Sequence, residues 1–355
     1  MRNGRVFLFS LPFRSGGYMQ GWHIIAPEQI EDKTIEESFD VTTETKVMVT
    51  KALVTLNDAL HFAKGEPQTV AGSYGIGIVS EPGQNLFDLK QGTRVYISPI
   101  VACKKCFNCN NNDAGKCSDI QIAGENFNGF LRNFVTTESS NLYYLPESVS
   151  DNDALFIEHI SLSLSIIDKL DIQKGDHIAV IGANNFGIIF SQLLIYYQAV
   201  PILLDIDGEN LQCAKNCGVY YTLGKDDNWL KEVSSITGGR MAKSVVYVSD
   251  SDVSPKTAFT LAGYNAHVAF TGLSGKNTSF SYANAVKKQL ILHFINTGYG
   301  YISSSINLIA NKACNLKKLQ FKESTYAEMP QVFKTMAEKL SKNEKIYDTI
   351  VKISD

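Results

Sequence analysis

Between Cys103 and Cys117 the chain reads CKKCFNCNNNDAGKC, which places four cysteines at C-x2-C-x2-C-x7-C spacing. Tetrahedral zinc takes four thiolates delivered by a short, turn-rich loop, and the Lys, Asn, Asp and Gly between these cysteines make such a loop. The segment has no apolar periodicity that would bury its thiols in a core, so free or disulfide-paired cysteines are the weaker reading. Cys103, Cys106, Cys109 and Cys117 are therefore expected to hold one structural zinc. The other thiols, Cys213, Cys217 and Cys314, follow no pairing pattern. Their presence fits the reducing environment of the cytoplasm.

A second constellation follows the apolar run Ile178–Ile181, where Gly182-Ala183-Asn184-Asn185-Phe186-Gly187 leads into a helical pattern. A dinucleotide-binding turn uses one Gly for the bend, a second for close approach of the pyrophosphate and a third for helix-to-strand packing. Here the middle Gly is Asn184. Asn tolerates a left-handed backbone, so the turn is expected to survive, with the Asn side chain in space that the phosphates would use. Asp205 ends the next strand eighteen positions after Gly187. A carboxylate there accepts hydrogen bonds from an adenosine ribose and repels a 2′-phosphate, which favours NAD over NADP. Gly182, Asn184, Asn185, Phe186, Gly187 and Asp205 are the candidate cofactor residues. The plain alternative is an ordinary strand–helix turn whose Asp caps a strand.

Two regimes of pattern carry these sites. From about Lys46 to Leu145, short β-branched runs such as KVMVTKALVTL and TRVYISPI are broken by Gly, Pro and Asn, which indicates an irregular β-rich domain. After Ser150, strands (HIAVIG, PILLDID, SVVYVSD, HVAFTG) alternate with amphipathic or apolar helices, the pattern of a parallel, doubly wound sheet. SSINLIANKAC and TYAEMPQVFKTMAEKL near the end read as helices, the second opened by a Thr325-x-x-Glu328 capping box. At 355 residues and 44% hydrophobic, the chain can bury two cores. A net charge of −3, without charge blocks, offers no footprint for nucleic acid or an anionic membrane surface. The N-terminal MRNGRVFLFSLPFRSGG has too short an apolar run, and no cleavage site, for a signal peptide. An added strand or arm is expected there.

The cysteine lobe and the rest of the chain from about residue 19 resemble the zinc-type alcohol dehydrogenases of the medium-chain dehydrogenase/reductase superfamily. The resemblance implies an α/β protein with a GroES-like β-rich catalytic domain, residues 1–150 and 300–355, carrying the zinc lobe at about 98–120. Residues 151–299 would form a Rossmann-type dinucleotide-binding domain. In that family a second, catalytic metal is held by a Cys after a strand, by the His and Glu of a Gly-His-Glu triplet, and by a further acid or Cys. The first position falls on Leu56, or on Asn57 with a one-residue slip. The triplet, located by the spacing of Gly72, Gly77 and Gly83, has become Gly72-Ser73-Tyr74, and only Glu158 matches a ligand. One carboxylate and two neutral hydroxyls do not make a catalytic zinc site, so that zinc is expected to be absent.

By the same resemblance His61 matches the histidine that contacts the cofactor ribose and passes protons to solvent, and Asp58 takes the place of a relay hydroxyl. Tyr74 puts a phenol where metal-bound water would have been, and a phenol can donate to a carbonyl oxygen. Tyr74, Asp58 and His61 are the candidate catalytic residues; cavity filling, capping and core packing are their structural alternatives. The expected function is an NAD(H)-dependent oxidoreductase acting on a carbonyl or activated double bond of a small molecule. Assembly as a homodimer or homotetramer is expected through HVAFTG and QLILHFIN near a sheet edge. Two other readings stand beside it: a non-catalytic dinucleotide-binding or scaffold homologue, and a conventional zinc dehydrogenase with relocated ligands.

Overall fold

The computed structural model describes residues 14–83, 88–248, 253–272 and 279–354. Most of the expected N-terminal arm, residues 1–13, lies outside the described residues. The described chain enters through an antiparallel hairpin, β1 (Arg14–Ala26) and β2 (Gln29–Asp40). In the next strand, β3 (Glu44–Val54), Thr45, Val47 and Val49 are buried while Lys46, Met48 and Thr50 are half-exposed, the period-two signature of a sheet with one covered face. Helix α1 (Leu56–Lys64) follows at once, because Thr55 and Asp58 form a reciprocal capping box at its start.

Strands β4 (Tyr74–Glu81) and β5 (Arg94–Ile97) continue the sheet. The chain then leaves it for the cysteine loop, whose base is the short antiparallel pair β6 (Ile100–Val101) and β7 (Gln121–Ile122). It returns as β8 (Phe134–Glu138) and β9 (Leu142–Tyr144). Helix α2 (Ile157–Lys169) joins the two halves of the molecule. Its Ile157, Ile160 and Leu164 pack in one core with Leu53, Ile76 and Tyr96 from the first sheet and Ile178 and Val180 from the second.

The second half starts with β10 (His177–Ile181), α3 (Asn185–Tyr196), β11 (Val200–Leu204) and α4 (Gly208–Asn216). It continues with β12 (Tyr221–Leu223), β13 (Ala242–Val248), β14 (Ala262–Thr271) and β15 (Ile291–Ile295). These six strands pair in parallel in the order β12-β11-β10-β13-β14-β15. The order reverses between β10 and β13, and ligands of such sheets bind at that switch point, beyond the carboxyl ends of the strands. The inner strands β10 and β11 are apolar runs buried almost throughout, as expected where helices cover both faces. Helix α3 is apolar all round for the same reason, with every residue from Asn185 to Leu194 buried.

After α5 (Ile302–Ala310) the chain returns to the first sheet as β16 (Phe321–Thr325), α6 (Met329–Ser341) and β17 (Asp348–Lys352). That sheet runs β16-β17-β3-β4-β5-β9, with β8 also paired to β3. The Thr325–Glu328 box forms, but it closes a single 3-10 turn, and the α-helix begins at Met329. Pro330 explains the offset: without an N–H it is best accommodated in the first helical turn. Phe62 of α1 meets Phe333 of α6 at 5.2 Å between ring centres, so the returning helix buttresses α1. Among the described residues no helix is long and apolar enough to cross a membrane.

Candidate active site and metal centre

In the cysteine lobe the four Sγ atoms of Cys103, Cys106, Cys109 and Cys117 lie within 4.8 Å of one another. Cys103 and Cys109 are 4.0 Å apart and Cys106 and Cys117 3.9 Å. Four thiolates at about 2.3 Å from a tetrahedral zinc would be separated by about 3.8 Å, so this donor set fits the ion. Two backbone amides, of Cys103 and Asp119, point at Cys117 Sγ at 3.4 Å each and would stabilise its thiolate.

The glycine turn sits at the end of β10. Gly182 has φ 108°, a conformation that a side chain would strain, and a Cβ on Gly187 would lie 1.9 Å from the Gly182 carbonyl oxygen. The middle position differs from the sequence expectation. Asn184 has φ −68° and ψ −179°, an extended rather than left-handed backbone. It acts as the N-cap of α3, its Oδ1 accepting from Gly187 N at 2.9 Å. The turn survives because Asn caps well, not because it bends left-handed. The cap also occupies one of the amides that an anion at this helix start would use.

Asn185, next in the turn, also lines the cleft, but its side chain is engaged with the returning segment. Its amide donates to Asp348 Oδ2 at 2.7 Å and to the Gln320 carbonyl at 2.8 Å, which ties α3 to the returning segment of the first sheet. Phe186 is buried and stacks on Phe190. Asp205 is buried at the end of β11, with Oδ2 accepting from Ala183 N at 2.5 Å and Oδ1 from Asp207 N at 2.9 Å. Beside it Asp207 caps α4 and pairs with Lys345 at 2.9 Å.

A cleft of about 500 Å³ runs from this turn to the first sheet, lined among others by Asp205, Asn184, Thr55, Leu56, Tyr74, Glu158 and His159. Tyr74 starts β4 opposite Leu53 of β3. Burial and the nearby Glu158 carboxyl push its phenol well above the ordinary range, so it is a hydrogen-bond donor at neutral pH.

Asp58 faces inward instead. It is 2% exposed, and its oxygens accept from Thr55 N (2.8 Å), Thr55 Oγ1 (3.1 Å), Gly72 N (2.8 Å) and Ser73 Oγ (2.7 Å). These bonds pin the Gly72–Ser73 segment to the start of α1. His61, one turn on, is near the Gly124 carbonyl; burial lowers its pKa while the Asp58 charge opposes that shift. Thus of the three candidate catalytic residues only Tyr74 is in the cleft wall.

Glu158 and His159 complete that wall from the first turn of α2. Burial pushes the Glu158 carboxyl up to about 8, against the pull of its hydrogen bond from Gly298 N, and burial drops His159 to about 4. The imidazole packs against Tyr74, Phe156 and Phe186. The sequence carried a signal for this pair: an acid and a histidine inside the apolar run ALFIEHISLS. Of Leu56, Ser73, Tyr74 and Glu158, the positions that the resemblance matches to catalytic-metal ligands, only Glu158 offers a good metal donor, and among the described residues only the four cysteines form a group of three or more His, Cys, Asp or Glu side chains close enough to hold an ion. The donor set of the cleft does not fit zinc.

Residues 42–147 match the family described as the alcohol dehydrogenase GroES-like domain. Over 272 residues the chain is 24% identical to an uncharacterized zinc-type alcohol dehydrogenase-like protein of Haemophilus influenzae, a match covering 76% of this chain and 79% of that protein. Among solved structures, an Escherichia coli oxidoreductase/dehydrogenase of unknown specificity involved in membrane biogenesis superposes with a TM-score of 0.85 at 19% identity, covering 96% of this chain and all of the other. A short chain alcohol dehydrogenase from Escherichia coli, solved with NADH, superposes at 0.80 and 19% identity over 95% of this chain and all of the other.

Proposed function

We propose that this chain, which is similar to zinc-type alcohol dehydrogenase-like proteins of the medium-chain dehydrogenase/reductase superfamily, is an NAD(H)-dependent oxidoreductase that reduces a carbonyl or activated double bond of a small molecule without catalytic zinc. The observation that carries this reading is the cleft, which runs from the Gly182–Gly187 turn and Asp205 to Tyr74 and Glu158. When bound, a reduced nicotinamide would supply the hydride. The chain's own residues would do the rest. Gly182, Asn184, Asn185, Phe186 and Gly187 form the turn that receives the diphosphate, and Asp205 receives the ribose. Tyr74 donates a hydrogen bond to the substrate oxygen. Asp58 acts as a positioning residue that holds the strand start carrying Tyr74, and His61 carries protons behind that wall. One zinc on Cys103, Cys106, Cys109 and Cys117 is structural.

We assign residues 1–150 with 300–355 to one domain and 151–299 to the other, a division that the strands of the two sheets support, and the unpaired thiols support a cytoplasmic setting. β15 ends its sheet with Phe294 77% and Ile291 47% exposed, which supports two-fold pairing of that edge in a homodimer or homotetramer.

A fluorescence titration tests the cofactor. NADH is expected to bind more tightly than NADPH, and Asp205→Ser is expected to narrow that gap. Tighter NADPH binding by the wild-type protein would remove Asp205 from its role. Turnover is tested with NADH against aldehydes, ketones and enones. Micromolar NADH binding with no turnover would favour the second reading, a non-catalytic dinucleotide-binding homologue. The capped start of α3 and the Asp348 carboxylate beside it favour that alternative, since both compete with a diphosphate.

A further inference from the structure

The first turn of α2 carries a carboxyl group that the fold satisfies on one side only. Glu158 Oε1 accepts from Gly298 N at 3.1 Å, whereas Oε2, equally buried, has no hydrogen-bond partner among the described residues. The contact to Gly298 is built in: a Cβ at that position would lie 2.3 Å from Leu162 N, so only glycine lets the loop lie against α2. A buried polar atom without a partner costs about 1–3 kcal/mol. A group kept in that state in the wall of a cleft points to a partner that enters from the cleft.

The neighbours agree. The titratable groups packed around Glu158 are the phenols of Tyr74 on β4, Tyr96 on β5 and Tyr143 on β9, with the imidazole of His159 beside it on α2. Burial raises all three phenols and holds His159 neutral, so these groups present no positive charge to a carboxylate. Tyr96 Oη and His159 Nδ1 are also buried without hydrogen-bond partners among the described residues. In such surroundings a carboxyl group keeps its proton at neutral pH and becomes a donor.

We propose that Glu158 is the catalytic acid of this cleft, delivering the proton of Oε2 to the oxygen of a carbonyl substrate. The assignment rests on the oxidoreductase reading and gives the proton a source that neither Asp58 nor His61 provides from its position. As the carbonyl carbon takes a hydride from a reduced nicotinamide dinucleotide, the electron pair of the C–O π bond moves to oxygen. That oxygen forms its new O–H bond with the proton of Glu158 while the Oε2–H bond breaks. The products are the alcohol, the oxidised nicotinamide and the Glu158 carboxylate, which regains a proton from water. Tyr74, in the same wall, holds the oxygen during transfer.

The test uses the full chain and two readouts. Infrared difference spectra between pH 6.5 and pH 9.5 should show a protonated carboxyl band lost with a midpoint near pH 8, and Glu158→Gln should lack it. This variant keeps the acceptor for Gly298 N, and an unchanged unfolding midpoint confirms its fold. With NADH and the aldehydes and ketones that the wild-type protein turns over, Glu158→Gln should lower kcat by roughly 10²- to 10⁴-fold and remove the alkaline limb of its pH profile. NADH affinity should stay within about twofold, since the lost donor acts only in the transition state. A wild-type spectrum without the band at pH 6.5, or a variant with unchanged kcat and pH profile, overturns the assignment and leaves the oxidoreductase reading standing. A wild-type protein that oxidises NADH with none of these carbonyls overturns both.

Discussion

The cysteine lobe and the central cleft are built in opposite ways. The lobe draws all four thiols from one fifteen-residue stretch, and the local loop brings them within reach of a single ion. The cleft draws Thr55 and Tyr74 from one sheet, Glu158 from the joining helix, Asn184 and Asp205 from the other sheet and Lys345 from the returning segment. A site made by one loop depends on its own few residues. A site made by many segments depends on each packing contact between them. Damage in the lobe should therefore stay local and change stability, and damage in the cleft should change chemistry.

The sharpest test of this contrast is Cys109→Ser. Elemental analysis should find about one zinc per wild-type chain and none in the variant, with the lobe unfolded because metal binding supplies its folding free energy. Two zinc ions per wild-type chain would refute the mismatch between the cleft donors and a catalytic metal. If NADH affinity fell as steeply as stability, the lobe and the cleft would not be separate units.

Tyr74→Phe should act in the reverse sense. It should lower kcat by roughly 100- to 1,000-fold, by comparison with deletion of one oxyanion donor, while leaving the unfolding midpoint and NADH affinity nearly unchanged. Turnover that survives this change would remove Tyr74 from the chemistry without touching the fold.

Asp58→Ala probes a residue that belongs to the cleft by sequence and to the scaffold by geometry. The Asp58 side chain is buried and accepts four hydrogen bonds, so their loss should cost about 3 kcal/mol in chemical denaturation. An unchanged stability with altered proton transfer would return Asp58 to a relay.

The smallest effect expected is a pH dependence of stability set by the buried pair on α2. With its pKa raised from 4.5 to about 8, Glu158 keeps a proton in the fold that the unfolded chain has released, so its contribution falls as pH rises through that window. His159, lowered from 6.5 to about 4, is neutral in the fold where the unfolded chain binds a proton, so its contribution rises with pH between 4 and 6.5. The two oppose each other below pH 6.5. Between 6.5 and 8 the decline from Glu158 stands alone, at most about 1.4 kcal/mol per pH unit. Urea denaturation of the wild-type protein and Glu158→Gln at pH 6.5 and 8 should show this decline only in the former.

Sequence by itself determined what depends on neighbours along the chain. The spacing of Cys103 to Cys117 brought four thiols into one loop, apolar runs marked buried parallel strands, and the Gly182-to-Gly187 segment marked a strand-to-helix turn. The capping box at Thr325 and Glu328 was equally legible, because a cap is a contact across three residues. Tertiary structure decided the rest. It turned Asn184 into a helix cap, spent Asn185 on the tie to Asp348 and Gln320, and drew Asp58 inward to Gly72 and Ser73. It also buried Glu158 against Gly298, 140 residues away in sequence, with one carboxyl oxygen unsatisfied among the described residues. These outcomes differ from the first group for one physical reason: the direction and burial of a polar side chain depend on what the rest of the fold packs against it, and residue type and spacing along the chain do not encode that partner.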